Sequence, residues 1–187
     1  MTTVSFTFDA ASRAMLQHFL ASIAYRTQKA LRGAPADFGD FRAAHHVRTP
    51  YELLWHMTGV IGYARTFLRG GEFAPPRLEG LQQEIERFHV TLEGLRDDFA
   101  DRSLTAVISD LQFLHGPLSD TMTHAGQLAM LRRMAGSPVP SENFIYATVA
   151  AVNVGADQPA PVAPDDWWRP NQAPQPPGPI TEVPEEG

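Results

Sequence analysis

Apolar residues recur at steps of three and four along most of the chain, and nowhere do they alternate with polar residues over a sustained run. That period predicts helices and argues against strands. A first helix is predicted from Ala10 to Leu31, with Ala14, Met15, His18, Phe19, Ile23 and Ala24 on its apolar side and Asp9 placed to cap its start. Gly33-Ala34-Pro35 ends it, and a polar loop follows over 36–48. Thr49-Pro50 with Glu52 then reads as a capping box with proline at the first helical position, opening a second helix that runs to about Arg69 and stops at Gly70-Gly71. A loop through Pro75 and Pro76 leads to a third helix over about 78–100, with Leu81, Ile85, Phe88, Leu92 and Leu95 facing inward. A fourth helical region is predicted over about 103–135, interrupted at Gly116-Pro117, and a short fifth piece over about 142–152.

Four helices of about 20 residues are each about 30 Å long, the size of an all-α four-helix bundle that buries one stripe from each helix. The connection 70–77 leaves its topology open. Eight extended residues reach about 26 Å, enough either to turn the chain back or to carry it along the bundle.

Composition divides the chain. Nine of the 16 prolines fall in 158–187, where five acidic residues face Arg169 alone. This stretch cannot form helix interior. The expected organisation is a helical domain over 1–157 and an extended or disordered acidic tail over 158–187, with Trp167 and Trp168 as its two groups that would favour an apolar surface. The tail holds −4 of the net charge of −6, so the body is close to neutral. The acidic balance argues against a nucleic-acid partner. No apolar run of membrane-spanning length is visible, nor a basic start followed by an apolar stretch, so no membrane span and no signal peptide are expected, and the cytoplasm is the default location. With no cysteine, disulfides, thiolate metal sites and a cysteine nucleophile are excluded, and any metal would be held by nitrogen and oxygen. No phosphate loop, dinucleotide fingerprint or serine-hydrolase elbow is present.

The candidate chemistry lies in polar residues on apolar stripes. Leu53, His56, Val60 and Phe67 share one side of the second helix, and Asp120, His124, Leu128 and Leu131 share one side of the fourth. Buried charge and imidazole are costly unless paired or coordinated. His56, Asp120 and His124 could satisfy one another around one divalent cation, with coordination positions left open for water or substrate. The competing reading is a simple Asp–His hydrogen bond beside a core histidine.

The run Thr49-Pro-Tyr-Glu-Leu-Leu-Trp-His56-Met resembles the first metal-histidine motif of the DinB/YfiT-like bacterial proteins, and Asp120-Thr-Met-Thr-His124-Ala-Gly-Gln127 resembles their second. In many members the ligand one turn before the second histidine is also histidine; here it is Asp120. The resemblance covers about residues 10–135. It implies an up-down-down-up bundle, often homodimeric, with 70–77 as the crossover between parallel second and third helices. It also implies that His56, Asp120 and His124 bind a metal such as Zn, Ni, Fe or Mn. The implied activity is thiol S-transfer or hydrolysis on a small molecule, with a non-catalytic, metal-braced binding protein as the alternative. A reacting thiol would have to come from the substrate.

Other residues rank lower. Gln127 and Gly126 read first as packing residues, with Gln127 as a partner of a ligand in second place. Glu52 reads as a capping carboxylate before a general base. His45, His46 and Arg48 form an exposed polar loop that could line the mouth of the site and meet an anionic substrate. Tyr63, about two turns beyond His56, reads first as core packing and second as a residue that could reach the site; His18 reads as core-edge, His89 as helix surface, and His115 as solvated.

Overall fold

The computed structural model describes residues 5–162, where the named elements are all helical and an antiparallel bridge joins Phe6 to Ala106. The main helices are α1 (Ala10–Leu31), α2 (Pro50–Arg69), α3 (Leu81–Ala100), the short α4 (Asp110–Phe113) and α5 (Ser119–Met134). Among the described residues no helix is long and apolar enough to cross a membrane. One compact unit comprises the chain to Val139 together with Thr148–Ala160. Pro140–Ala147 belongs to a second unit, whose one helical turn, Phe144–Tyr146, is capped by the Asn143 side chain. Most of the 158–187 tail, including Trp167 and Trp168, lies outside the described residues; Gln158 is buried, its amide donating to the Gly155 carbonyl at 2.7 Å.

The start signals work as read. The Asp9 carboxylate accepts from the Ser12 amide at 2.7 Å, and Thr49 and Glu52 form a complete capping box. The stop signal after α2 is Gly70, whose φ of 73° suits glycine. Hydrogen bonds fix the helix directions. Thr58 of α2 meets Glu84 of α3, and further along both helices Arg65 and Arg69 meet Asp98, so α2 and α3 run side by side in the same sense. Against α1, α3 runs the opposite way: Arg13 bonds the Phe99 carbonyl at one end and Gln28 approaches His89 toward the other. At the far end of α1, Arg132 of α5 donates to the carbonyls of Ala30 and Arg32, satisfying groups that a helix end leaves without partners.

The core is aliphatic in the middle and aromatic at one end. Leu16, Leu20, Leu54, Met57, Ile61, Leu92, Leu95 and Leu128 are fully covered. Beyond them Phe8, Phe67 and Phe99 surround Phe113, with ring centroids 5.2 to 6.2 Å from it and near-perpendicular or tilted planes. Each such contact adds about 0.5–1.5 kcal/mol to simple burial.

Several sequence expectations need correction. The buried side of α1 carries Arg13, Leu16, Leu20, Ala21 and Tyr25, while Ala14, Met15 and His18 are exposed. That stripe was misread because Arg13 looks polar, yet its guanidinium is spent on the carbonyls of Phe8, Phe99 and Asp101. The third helix begins at Leu81, three residues later than its pattern suggests. Residues 103–109 are not helical, because Ala106 is occupied by its bridge to Phe6. The fifth piece shrinks to a single turn. The expected break at Gly116-Pro117 is present: Gly116 leaves helical geometry, and around it the hydroxyls of Ser119 and Thr121 donate to the carbonyls of Leu114 and Pro117.

His89 is not a surface residue. It is 3% exposed, and its Nδ1 bonds the Val154 carbonyl at 2.7 Å, pinning the 148–160 segment, whose Val154 is fully buried. Burial lowers its pKa, although the Val154 carbonyl and Glu93 favour the charged form. The unfolded chain therefore takes up this proton before the folded one does. The stability that this group contributes is fully present above about pH 6.5 and is lost as the pH drops below it. Urea unfolding between about pH 7.5 and 5 should show a contribution of up to about 1.4 kcal/mol per pH unit from this group. His89→Gln should flatten that part of the profile; equal slopes in both proteins would refute the assignment.

The 70–77 connection is fastened to α2. Trp55 Nε1 donates to the Pro75 carbonyl at 3.1 Å, Arg77 stacks over the Trp55 ring, and Phe73 lies over Gly62 so closely that a Cβ there would meet ring atoms at 2.1 Å. Gly62→Ala should therefore lower stability by about 1–3 kcal/mol by expelling Phe73. The readout is the urea midpoint, and an unchanged midpoint would mean that the loop yields freely.

Candidate metal centre

α2 and α5 bring His56, Asp120 and His124 together. One ligand-type atom from each lies within 4.8 Å of the others, and the two imidazole rings meet edge to face with centroids 4.9 Å apart. Asp120 and His124 are one turn apart on α5, and His124 Nε2 stands 3.4 Å from Asp120 Oδ1.

The separation of His124 Nε2 and Asp120 Oδ1 bears on the hydrogen-bond reading of the trio. It is long for an N–H···O hydrogen bond, which prefers about 2.7–3.2 Å. Two ligand atoms about 2.0–2.1 Å from a shared tetrahedral ion would stand about 3.4 Å apart, and the three ligand-type atoms here lie within 4.8 Å of one another. The tautomer agrees. His124 Nδ1 faces Gln127 Oε1 at 2.8 Å, and because an amide oxygen only accepts, Nδ1 carries the hydrogen. In the neutral ring Nε2 then presents a lone pair toward a carboxylate oxygen. Two lone pairs facing each other call for a cation or a proton between them. The residues present thus fit a divalent metal of the kind that accepts nitrogen and oxygen ligands.

The trio is less buried than its place on apolar stripes predicts. His124 is nearly covered, with its side chain 11% exposed, but the Asp120 side chain is 50% exposed and His56 is half-buried. The inward face of α2 is Leu54, Met57, Ile61, Ala64 and Leu68; His56, Val60 and Phe67 flank it. The trio stands at the edge of the core, open to solvent, so no buried uncompensated carboxylate demands a partner. Burial lowers the His56 pKa, the charges of Arg48 and His124 add to this, and Asp120 opposes it. His56 is accordingly a neutral ring with a free lone pair at neutral pH.

The neighbours sort differently from their sequence readings. Gln127 is a hydrogen-bond partner of His124 and is exposed. Gly126 is exposed with nothing near its missing Cβ, so close helix packing is not its role. Tyr63 is 56% exposed, packs its ring on Phe67 at 4.7 Å, and lines a cavity of about 300 Å³ with His56, Trp55, Gly59, Val60 and Pro75; it is not core. Glu52 is spent on the Thr49 amide, and that bond, aided by Arg42 and Arg77, holds its carboxyl below the usual range. His46 and Arg48 line a second cavity, to which Gln127 also contributes. His18 and His115 are exposed and belong to no ligand cluster. Trp55, Met130 and Met134 were missed as site-lining residues. Their placement depends on the loops 70–77 and 43–48, which no helical period reveals.

Comparison with protein-family models, with curated proteins and with solved structures returns no match to this chain.

Proposed function

We propose that the chain is a DinB/YfiT-like, up-down-down-up four-helix bundle in which His56, Asp120 and His124 hold a divalent metal ion for chemistry on a small molecule. The bundle topology is supported by the parallel α2–α3 pair, the antiparallel α1–α3 pair and the 70–77 connection along α2. The metal is supported by one observation above the rest: His124 Nε2 and Asp120 Oδ1 face each other at ligand-to-ligand distance while Gln127 holds the hydrogen on the other ring nitrogen.

A divalent ion at this site would supply Lewis acidity, drawing a proton from a water or a substrate thiol to make it nucleophilic at neutral pH. The chain's own groups do the rest. Three protein ligands would leave coordination positions free for water or substrate, and Asp120 is half-exposed to solvent. Trp55 and Tyr63 wall the approach beside His56 and present aromatic faces to an incoming molecule. Gln127 keeps the His124 ring in one orientation. The reaction classes that fit are S-transfer from a low-molecular-weight thiol and hydrolysis. The thiol in the first case belongs to the substrate, because the chain has no cysteine.

The test is elemental analysis of the purified, tag-free protein, followed by cobalt substitution. One equivalent of divalent metal, and a cobalt spectrum that changes on adding azide or a small thiol, is the expected result. Metal-free protein with no affinity for added zinc or nickel removes the proposal. A metal-loaded site whose spectrum does not respond to either ligand reduces the ion to a brace between α2 and α5.

A further inference from the structure

Alongside the metal-centre residues, the loop 43–48 and the second half of α5 enclose a cavity of about 580 Å³, within the range that holds a small-molecule ligand. Its walls are Val47, Leu53, Met130, Leu131 and Met134. Three of these apolar side chains are solvent-exposed, Val47 at 36%, Met130 at 53% and Met134 at 55%. Exposed methionines are adaptable contact surfaces for apolar ligands. Arg48 is the one permanently charged group in the lining, which contains no carboxylate. His46, also on the wall, is the only non-glycine residue with positive φ among the described residues, at 64°. The loop is held in that shape by the Arg42 guanidinium on the Val47 carbonyl at 2.7 Å. Along α5 the lining runs from Gln127 to Met134, about 10 Å of helix. Gln127 is the residue shared with the metal centre, since it also holds His124.

We infer that this cavity binds an amphipathic monoanion, its acidic head at Arg48 and its alkyl or aryl body over Met130 and Met134. A carboxylate on an arginine gains charge-assisted, two-point hydrogen bonding that a neutral amide lacks. The apolar body covers side chains that water otherwise contacts. Gln127 places such a ligand next to His124, so the inference rests on the metal-centre reading for the chemistry that follows binding, though not for binding itself.

Decanoate and decanamide are the probes, titrated into the full chain with 13C-methyl methionine as the reporter. The chain has 6 methionines, so the signals of Met130 and Met134 can be assigned by substitution. Decanoate should shift both signals saturably, and affinity should rise by up to about fourfold per methylene from hexanoate to decanoate. Decanamide should bind about tenfold more weakly. Arg48→Gln should erase the difference between acid and amide, and Met130→Trp should weaken both by filling the cavity. Equal binding of acid and amide, or shifts spread over all methionines without saturation, would overturn the inference. Running the titration alongside metal analysis separates the two ideas. Acid-selective binding by a protein that takes up no metal leaves this assignment standing and removes the metal centre. Stoichiometric metal without acid selectivity removes only the cavity assignment.

Discussion

His124→Ala should strip stoichiometric divalent metal from the purified protein. The loss should exceed the 10–100-fold that follows removal of an outer hydrogen-bond partner, and that smaller figure is what Gln127→Leu should show. His124 contributes Nε2 to the shared space with Asp120, and Gln127 contributes only the bond that orients the ring. Competition against a chromophoric chelator gives both affinities on one scale. The variants should fold, because His124 lies at the edge of the core and Gln127 is exposed. Zinc or nickel should raise the wild-type melting temperature and leave that of His124→Ala where it was, since a ligand stabilises only the state that binds it. Wild-type metal content in His124→Ala would place the ion elsewhere. A Gln127→Leu affinity equal to wild type would mean that the ring needs no external orientation.

Arg87→Met should destabilise the fold by about 3–5 kcal/mol, a large share of the stability of a domain this size. Glu84 is fully buried on α3, and its carboxylate receives the Thr58 hydroxyl from α2 at 2.5 Å and the Arg87 guanidinium one turn along its own helix. Arg87 also donates to the Pro76 carbonyl at 2.6 Å, so one side chain neutralises the buried carboxylate and anchors the crossover. Removing it leaves a buried charge with a single hydroxyl partner. The double variant Arg87→Met, Glu84→Leu should recover most of the loss, because an apolar pair of similar size avoids the desolvation cost altogether. Thr58 then keeps its bond to the Leu54 carbonyl. Urea unfolding of the two single variants and the double variant reads the coupling. An Arg87→Met protein within about 0.5 kcal/mol of wild type would show that Glu84 is not held as an ion pair.

Much of this structure is written locally. The capping box at Thr49, the Asp9 cap, the glycine stop after Arg69 and the break at Gly116-Pro117 are decided by residues within a few positions of one another, and each is where its pattern puts it. The candidate ligands were legible for the same reason: Asp120 and His124 are one turn apart on a single helix, and His56 sits at a fixed offset from a strong helix start. Burial was less legible. His89 and His18 both sit on amphipathic helices, yet one is sealed by Val154, 65 residues along the chain, and the other faces water. Arg13 and Glu84 are buried because partners from distant segments satisfy them.

The sequence alone determined that the chain is helical, the caps and stops at Asp9, Thr49, Gly70 and Gly116, and that Asp120 and His124 share one face, because these follow from short-range hydrogen bonding and the 3.6-residue period. Only the tertiary structure decided that α2 and α3 run parallel, that the trio stands at the solvent edge, and which loops wall it. Those facts depend on pairings between separate segments, such as Trp55 with Pro75 and Thr58 with Glu84. A side-chain period states which residues share a face, and long-range contacts then decide whether that face meets a core, a loop or water.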